Sequence, residues 1–213
     1  MEEIKEKLST ALLSDIMDEL GFKNQMLPIE IKPNFNEAKI FGKARIMKLK
    51  EITKDEDYSD VYKGLYFLES LNKGDILVVA NAFDAYAFFG ELMSTLAKSK
   101  GVEGTIVDGC TRDKMETIKL KYPVFAKNNI ARDIKKRGIV GEVDANSTKI
   151  GDAVIKMGDY LFGDIDGVIV IPFEIKENVI KKALKIYDLE EDIKESITKG
   201  VKVEDLLDKF GEF

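Results

Sequence analysis

Apolar residues recur at helical spacing through LSTALLSDIMDEL, residues 8–20, and the run halts at Gly21. This predicts a short N-terminal helix, with Ser14 and Asp15 as polar residues able to cap it and Gly21 as its stop. Residues 38–50 alternate as a strand does, and residues 57–71 carry the aromatic and aliphatic spacing of an amphipathic helix ending before Asn72-Lys73-Gly74. The middle of the chain then switches between the two periods. Residues 76–80 read as a buried strand, 86–100 as a helix stopped by Gly101, 105–108 as a second strand, 112–120 as a second helix and 123–126 as a third strand. From Gly138 to Pro172, short β-prone runs broken at Gly151, Gly158, Gly163 and Gly167 predict a half that is mostly sheet. A last helix over residues 174–199 is expected to bury Ile180, Leu184, Tyr187 and Ile193 and to stop at Gly200, with a short amphipathic piece around Leu206. There is no internal repeat, low-complexity segment or long linker. The pattern therefore predicts one layered α/β domain over residues 1–213: a central β-α-β-α unit, a β-rich second half, an N-terminal helix and a helical tail from about residue 174.

Composition narrows the chemistry. With 213 residues and 45% hydrophobic content the chain can bury a sizeable core. A net charge of -6 opposes attraction to phosphate polyanions, so no nucleic-acid partner is expected. No apolar run approaches the ~20 residues of a spanning helix, so no membrane partner is expected either. The single cysteine, Cys110, cannot form an internal disulfide, and the opening MEEIKEK has neither the basic nor the apolar region of a signal peptide, which predicts a cytoplasmic protein. Histidine is absent. That removes the commonest general base and the commonest transition-metal ligand, so a metal site must be built from oxygen, favouring Mg²⁺ or Mn²⁺ over zinc. Proton transfer falls to carboxylates, lysines, tyrosines or water, and serine-histidine chemistry is excluded.

One stretch concentrates candidate chemistry. In GELMSTLAKSKGVEGTIVDGCTRDKME, residues 90–116, Glu91 is followed after twenty positions by Arg112-Asp113 and after two more by Glu116. These positions fall near predicted strand and helix ends, where open α/β sheets hold ligands. Carboxylate oxygens suit a hard cation, and an arginine fork suits a substrate carboxylate. Two readings of Gly90 stay open. It either sits inside a helix to permit close packing, or starts one and leaves free N–H groups and a positive dipole end for an anion. Arg112 and Asp113 also admit a plain reading, an ordinary helix entry with Glu116 in a surface pair worth only ~0.2–0.5 kcal/mol.

Together with LSTALLSDIMDELG, GDILVVANAFDAYAFFGEL, YPVFA and GDYLFGDIDGVIVIP, this stretch resembles the class II pyruvate aldolases of the 4-hydroxy-4-methyl-2-oxoglutarate aldolase type, a family shared with the regulators of ribonuclease activity A. The resemblance spans residues 8–200. It implies a swivelling β/β/α fold and a homotrimer or dimer of trimers. It also implies cleavage of a 4-hydroxy-2-oxo acid to pyruvate through an enolate, dependent on Mg²⁺ or Mn²⁺, with oxaloacetate decarboxylation as a second activity. Backbone groups of Gly90, Glu91, Leu92 and Met93 would line the pyruvate pocket, and Arg112 would bind the carboxylate and keto oxygen of this small 2-oxo acid. Asp113 would ligate the metal directly, while Glu91, Glu116 and, from a neighbouring subunit, Glu190 would hold its water shell. Arg112, Asp113 and Glu91 would thus be the catalytic residues.

The alternative within the same resemblance is a non-catalytic regulator that binds an RNA-processing enzyme. Regulatory members depart at the aspartate after the arginine, a position held here by Asp113, so the resemblance favours an enzyme. A methyltransferase label also carried in the family finds no glycine-rich nucleotide motif in this chain. Departures are Asn81, where an aspartate commonly ends the strand, and Met157, where a proline is usual. Three other features read as structure: Cys110 as a partly buried thiol, Asp164 and Asp166 as turn residues, and the basic stretch at residues 131–138 as a solvated surface turn.

Overall fold

The structure, a computed structural model, describes residues 2–211. After a two-residue strand β1 (Lys32–Pro33), four strands form the centre: β2 (Ile40–Glu51), β3 (Asp75–Ala80), β4 (Gly104–Thr111) and β5 (Val124–Asn129). They lie side by side in parallel, in the order β5-β4-β3-β2, and β1 pairs antiparallel with β5. Every residue of β3 is buried, as expected for a parallel strand covered on both faces. Its side chains divide by the two-residue period: Ile76 and Val78 join one apolar cluster, Leu77 and Val79 another.

The second half is sheet, as predicted. It comprises β6 (Gly138–Val143), the hairpin β7 (Ser147–Ile150) and β8 (Ala153–Lys156), and the hairpin β9 (Tyr160–Asp164) and β10 (Gly167–Ile171). The free edge of long β2 is shared: Ile40 to Lys43 pair with β9, and Met47 to Glu51 pair with β6. The sheet nearly closes on itself. Leu27 donates its N–H to the Val168 carbonyl and Val170 to that of Gln25, while Lys32 and Pro33 pair with β5. Ile40, Ile46, Ile76, Ile106, Phe125 and Val170 fill the enclosed face.

Helices cover the outside. In chain order they are α1 (Glu2–Lys7), α2 (Thr10–Glu19), α3 (Lys63–Ser70), α4 (Glu91–Ser99), α5 (Lys114–Lys119), α6 (Lys176–Thr198) and α7 (Val203–Phe210). The terminal helices α2 and α6 pack on Phe41, Tyr160, Phe162, Ile169 and Ile171, whereas Phe67 and Leu68 of α3 and Met93 and Ala97 of α4 pack on Leu77, Val79 and Val107. The predicted helix at residues 57–71 divides into a 3-10 turn, Tyr58–Tyr62, capped by Asp57, and α3. On α6, Val179, Ala183 and Ile193 are buried, while Ile180, Leu184 and Tyr187 are only partly covered.

The predicted caps of the first long helix need correction. Ser9, not Ser14 or Asp15, caps α2 by accepting from the Leu12 N–H at 3.1 Å, and the preceding charged residues form α1. Gly21 ends the segment at φ +85, a conformation open chiefly to glycine. Asp164 does more than turn the chain. Buried at the β9–β10 turn, its carboxylate accepts from the Thr10 N–H at 2.9 Å, the Thr10 hydroxyl at 2.6 Å and the Asp166 N–H at 3.0 Å, tying α2 to the sheet. Asp164→Ala is expected to lower unfolding free energy by about 3 kcal/mol, because it strands buried donors, and denaturant titration checks this.

Candidate active site

The segment before α4 explains where the site lies. Residues 86–90, predicted as helix, are not helical: bends at Tyr86 and Phe88 alternate with bridged Ala87 and Phe89. Ala87 and Phe89 are buried at two-residue spacing, and isolated parallel bridges join Ala87 to Asp133 and Phe89 to Thr111. Their apolar character serves this inserted strand-like run and imitates a helical pattern by accident. The Arg112 N–H donates to the Phe89 carbonyl at 3.0 Å and the Thr111 hydroxyl to the same carbonyl at 2.7 Å. Gly90, Arg112 and Asp133 are thereby set beside one another at the C-terminal ends of β3 and β4.

Helix α4 starts at Glu91 with Gly90 as its N-cap, so the reading of Gly90 inside a helix is excluded. Helix α5 starts at Lys114, two residues later than predicted. Asp113 precedes it in the left-handed region, φ 57 and ψ 36, which aspartate tolerates better than most residues but still at a cost of about 1–3 kcal/mol. That turn points the carboxylate away from its own helix. Its Oδ2 accepts from the Glu91 N–H at 3.1 Å, placing a negative group at the positive end of α4. The glycine is required by this approach: a Cβ on Gly90 would lie 2.5 Å from Asp113 Oδ2 and 3.0 Å from Arg112 Cγ.

Arg112 is held at two points. Its Nε lies 3.4 Å from Asp113 Oδ2, and its Nη1 donates to Asp133 Oδ2 in a close ion pair. The side chains are 36% and 41% exposed, so the Arg112–Asp133 pair is worth about 1 kcal/mol or less, and its effect is on direction rather than stability. Among the described residues Nη2 makes no hydrogen bond, and neither do Asp113 Oδ1 or the N–H groups of Leu92 and Met93. These groups border a cavity of about 220 Å³. That is smaller than the ~300–1,000 Å³ of drug-sized pockets and suits a small acid rather than a nucleotide. Its other wall comes from Tyr58, Tyr62, Leu65, Phe88 and Ile134. Burial, and then the Asp133 carboxylate, push the Tyr58 phenol up, so it remains a protonated donor.

The expected residues are not all gathered. Gly90, Glu91, Leu92, Met93, Arg112 and Asp113 border the cavity, but the Glu91 N–H of the predicted cradle already serves Asp113. Glu116 pairs with Lys119 at 2.7 Å outside the cavity. Its hydrogen bond and charge, with a smaller contribution from Glu91, hold the Lys119 ammonium pKa up. Glu190 sits on α6, 3.8 Å from Lys194, and is not among the cavity residues. Asp133 is the residue sequence reasoning missed. It lies in the stretch read as a solvated surface turn, and nothing local distinguishes it from its charged neighbours. Cys110 is inert: it is buried, its thiol donates to the Asp84 carbonyl, and burial and then Asp84 push its pKa up. A larger depression of about 520 Å³ lies at the opposite ends of β3 to β5. Its Lys39 and Lys98 donate to backbone carbonyls.

The donor set suits a hard cation only in part. Among the described residues no three His, Cys, Asp or Glu side chains cluster closely enough to hold an ion by themselves. Mg²⁺ commonly takes only one or two carboxylates and fills its other positions with water and substrate oxygens. Asp113, with Oδ1 unengaged and Glu91 nearby, fits that mode and not a closed cage.

Residues 10–170 match the RraA-like family, described as Aldolase/RraA. The chain belongs to this family. Among its relatives is an uncharacterized protein of Methanocaldococcus jannaschii, 34% identical over 83% of this chain and 82% of the relative. A protein of Halalkalibacterium halodurans named as a candidate 4-hydroxy-4-methyl-2-oxoglutarate aldolase is 32% identical over 84% of this chain and 79% of its own. The RraAS2 structure of Streptomyces coelicolor, an unusual member of the RNase ES inhibitor family, superposes with a TM-score of 0.78 over 90% of this chain and 96% of that one. At 22% identity it shows the RraA-like fold alone. The family holds both aldolases and RraA-type regulators. No helix among the described residues is long and apolar enough to cross a membrane.

Proposed function

We propose that the chain is a lyase that cleaves a 4-hydroxy-2-oxo acid to pyruvate, with oxaloacetate decarboxylation as a second activity. The observation that carries this is the convergence of Arg112, the Asp113 carboxylate and the N-terminus of α4 on one small cavity. Arg112 Nη2 and the N–H groups of Leu92 and Met93 bind the C1 carboxylate. Asp113 and Asp133 clamp the guanidinium so that its unpaired edge faces substrate. As the C3–C4 bond breaks, its electron pair becomes the C2–C3 double bond of the enolate and the carbonyl π pair moves onto the keto oxygen, while the 4-hydroxyl loses its proton to become the carbonyl of the second product. Positive groups fixed beside an oxygen that becomes anionic stabilise the transition state more than the ground state. Mg²⁺ or Mn²⁺, held by Asp113 with Glu91 and, once released from its Lys119 pair, Glu116 in its water shell, would add Lewis-acid stabilisation of that oxygen. With no histidine in the chain, a water ordered by Glu91 and Asp113 takes the 4-hydroxyl proton, and C3 is protonated to give pyruvate.

The active form is a homotrimer or a dimer of trimers, in which Glu190 of a neighbouring copy joins the site. Supporting this, the helices around the cavity leave Tyr66 72% and Leu92 82% exposed, apolar surface that a second copy would cover. The test is pyruvate release from 4-hydroxy-4-methyl-2-oxoglutarate and from oxaloacetate, with Mg²⁺, with Mn²⁺ and with chelator. Turnover that needs the metal is expected. Turnover that survives chelation rejects the metal, and no pyruvate from either compound by folded, assembled protein rejects the lyase.

A further inference from the structure

Cleavage leaves an enolate whose C3 must take a proton to become the methyl group of pyruvate. Among the described residues, three side chains that line the cavity carry an N–H or O–H of their own: Arg112, Tyr58 and Tyr62. A guanidinium does not give up its proton in a protein. Asp113 and Asp133 serve as acceptors, the first from the Glu91 N–H and the second from Arg112. The two phenols are then the donors on this wall.

Tyr58 is the better placed of them. It opens the 3-10 turn, whose start Asp57 fixes: the Asp57 carboxylate accepts from the Ser59 N–H at 2.8 Å and its carbonyl from the Asp60 N–H at 3.1 Å. Val61 packs the turn onto the core, and Gly64 lets α3 close on Phe88, since a Cβ there would lie 2.6 Å from the Phe88 ring. The Tyr58 phenol senses both the Asp133 carboxylate and the Arg112 guanidinium, the pair at the polar end of the cavity, whereas Tyr62 rims it and is 53% exposed. Among the described residues the Tyr58 hydroxyl makes no hydrogen bond, and burial and then Asp133 keep it protonated at neutral pH. It stands on the wall across from Glu91 and Asp113, so one side of the cavity orders the water that takes a proton and the other holds a group able to give one.

We infer that Tyr58 is the catalytic acid that protonates C3 of the enolate. This rests on the lyase reading and assigns a step that it leaves open. The step balances: the phenol O–H bond breaks, the C2–C3 π pair forms the new C3–H bond, the keto carbonyl re-forms from the oxyanion, and the phenolate recovers its proton from water. Run backwards, the same oxygen removes a methyl proton from bound pyruvate.

Two readouts on the assembled protein, supplied with Mg²⁺ or Mn²⁺, test this. Pyruvate is incubated in D₂O and deuteration of its methyl group is followed by proton NMR, and CO₂ release from oxaloacetate is measured on the same preparation. Tyr58→Phe removes one oxygen atom. It is expected to slow deuteration by about 100-fold with KM for pyruvate within about twofold, while CO₂ release, which forms the enolate without an acid, falls by less than about tenfold. Equal loss of both activities would assign Tyr58 to binding or packing and overturn the inference. So would undiminished deuteration, or deuteration lost in Tyr62→Phe and kept in Tyr58→Phe, and each of these outcomes leaves the lyase standing. Unaltered protein that neither deuterates pyruvate nor releases it from 4-hydroxy-4-methyl-2-oxoglutarate rejects the lyase, and the role of Tyr58 with it.

Discussion

Asp113→Asn is expected to lower pyruvate release by at least about 100-fold, the scale of losing one preorganised electrostatic group at a developing oxyanion. Asparagine is the informative replacement because it tolerates the left-handed backbone that Asp113 adopts at φ 57, so the turn into α5 survives. Its amide oxygen can still accept from the Glu91 N–H. Only the charge is lost, and with it the donor best suited to a hard cation and the negative group beside Arg112 Nε. The accompanying expectation is that adding Mg²⁺ or Mn²⁺ no longer stimulates the variant, while its circular dichroism and thermal midpoint stay close to those of the parent. Variant turnover that remained fully responsive to metal would place the cation elsewhere.

Gly90→Ala is expected to reduce activity nearly as much, although the substitution adds only a methyl group and no charge. The new Cβ would occupy the space of Asp113 Oδ2, 2.5 Å away, and press on Arg112 at 3.0 Å. Relief requires the carboxylate to leave the Glu91 N–H and the arginine to tilt, and a displacement of this size within a catalytic constellation costs on the order of 100-fold. The stability cost is smaller, about 1 kcal/mol, because the side chains that must move are more than a third exposed, so the thermal midpoint should fall by roughly 2–4 °C. Measuring kcat and melting on the same preparation separates the two effects. Unchanged kcat would show that the contact between Gly90 and Asp113 is incidental.

The elements differed in how well they could be read. Residues 76–80 were legible because a strand buried on both faces is a continuous apolar run, and the segment ending at Gly101 showed its stop. The run at residues 86–90 was misread because two buried positions in an inserted strand, followed directly by an amphipathic helix, sum to a pattern no different from a longer helix. Arg112 and Asp113 were placed inside α5 because a single left-handed residue leaves no mark on hydrophobic periodicity. Their candidacy rested on the charged types of Glu91, Arg112 and Asp113 and on their spacing, and that part is visible in the chain. Asp133 had no such signal, since its partner lies across a whole strand and, apart from buried Ile134, its neighbours are exposed.

The sequence by itself determined the alternation of strand and helix, the oxygen-only character of any metal site, and which arginine and carboxylates were candidates, because these depend on local period and residue chemistry. The tertiary structure alone decided that Asp113 turns to the N-terminus of α4, that Asp133 takes one arm of Arg112, and that an aromatic wall stands opposite. Each of those facts is a meeting of residues far apart in the chain, and such meetings are set by how the layers pack and not by any pattern a single segment carries.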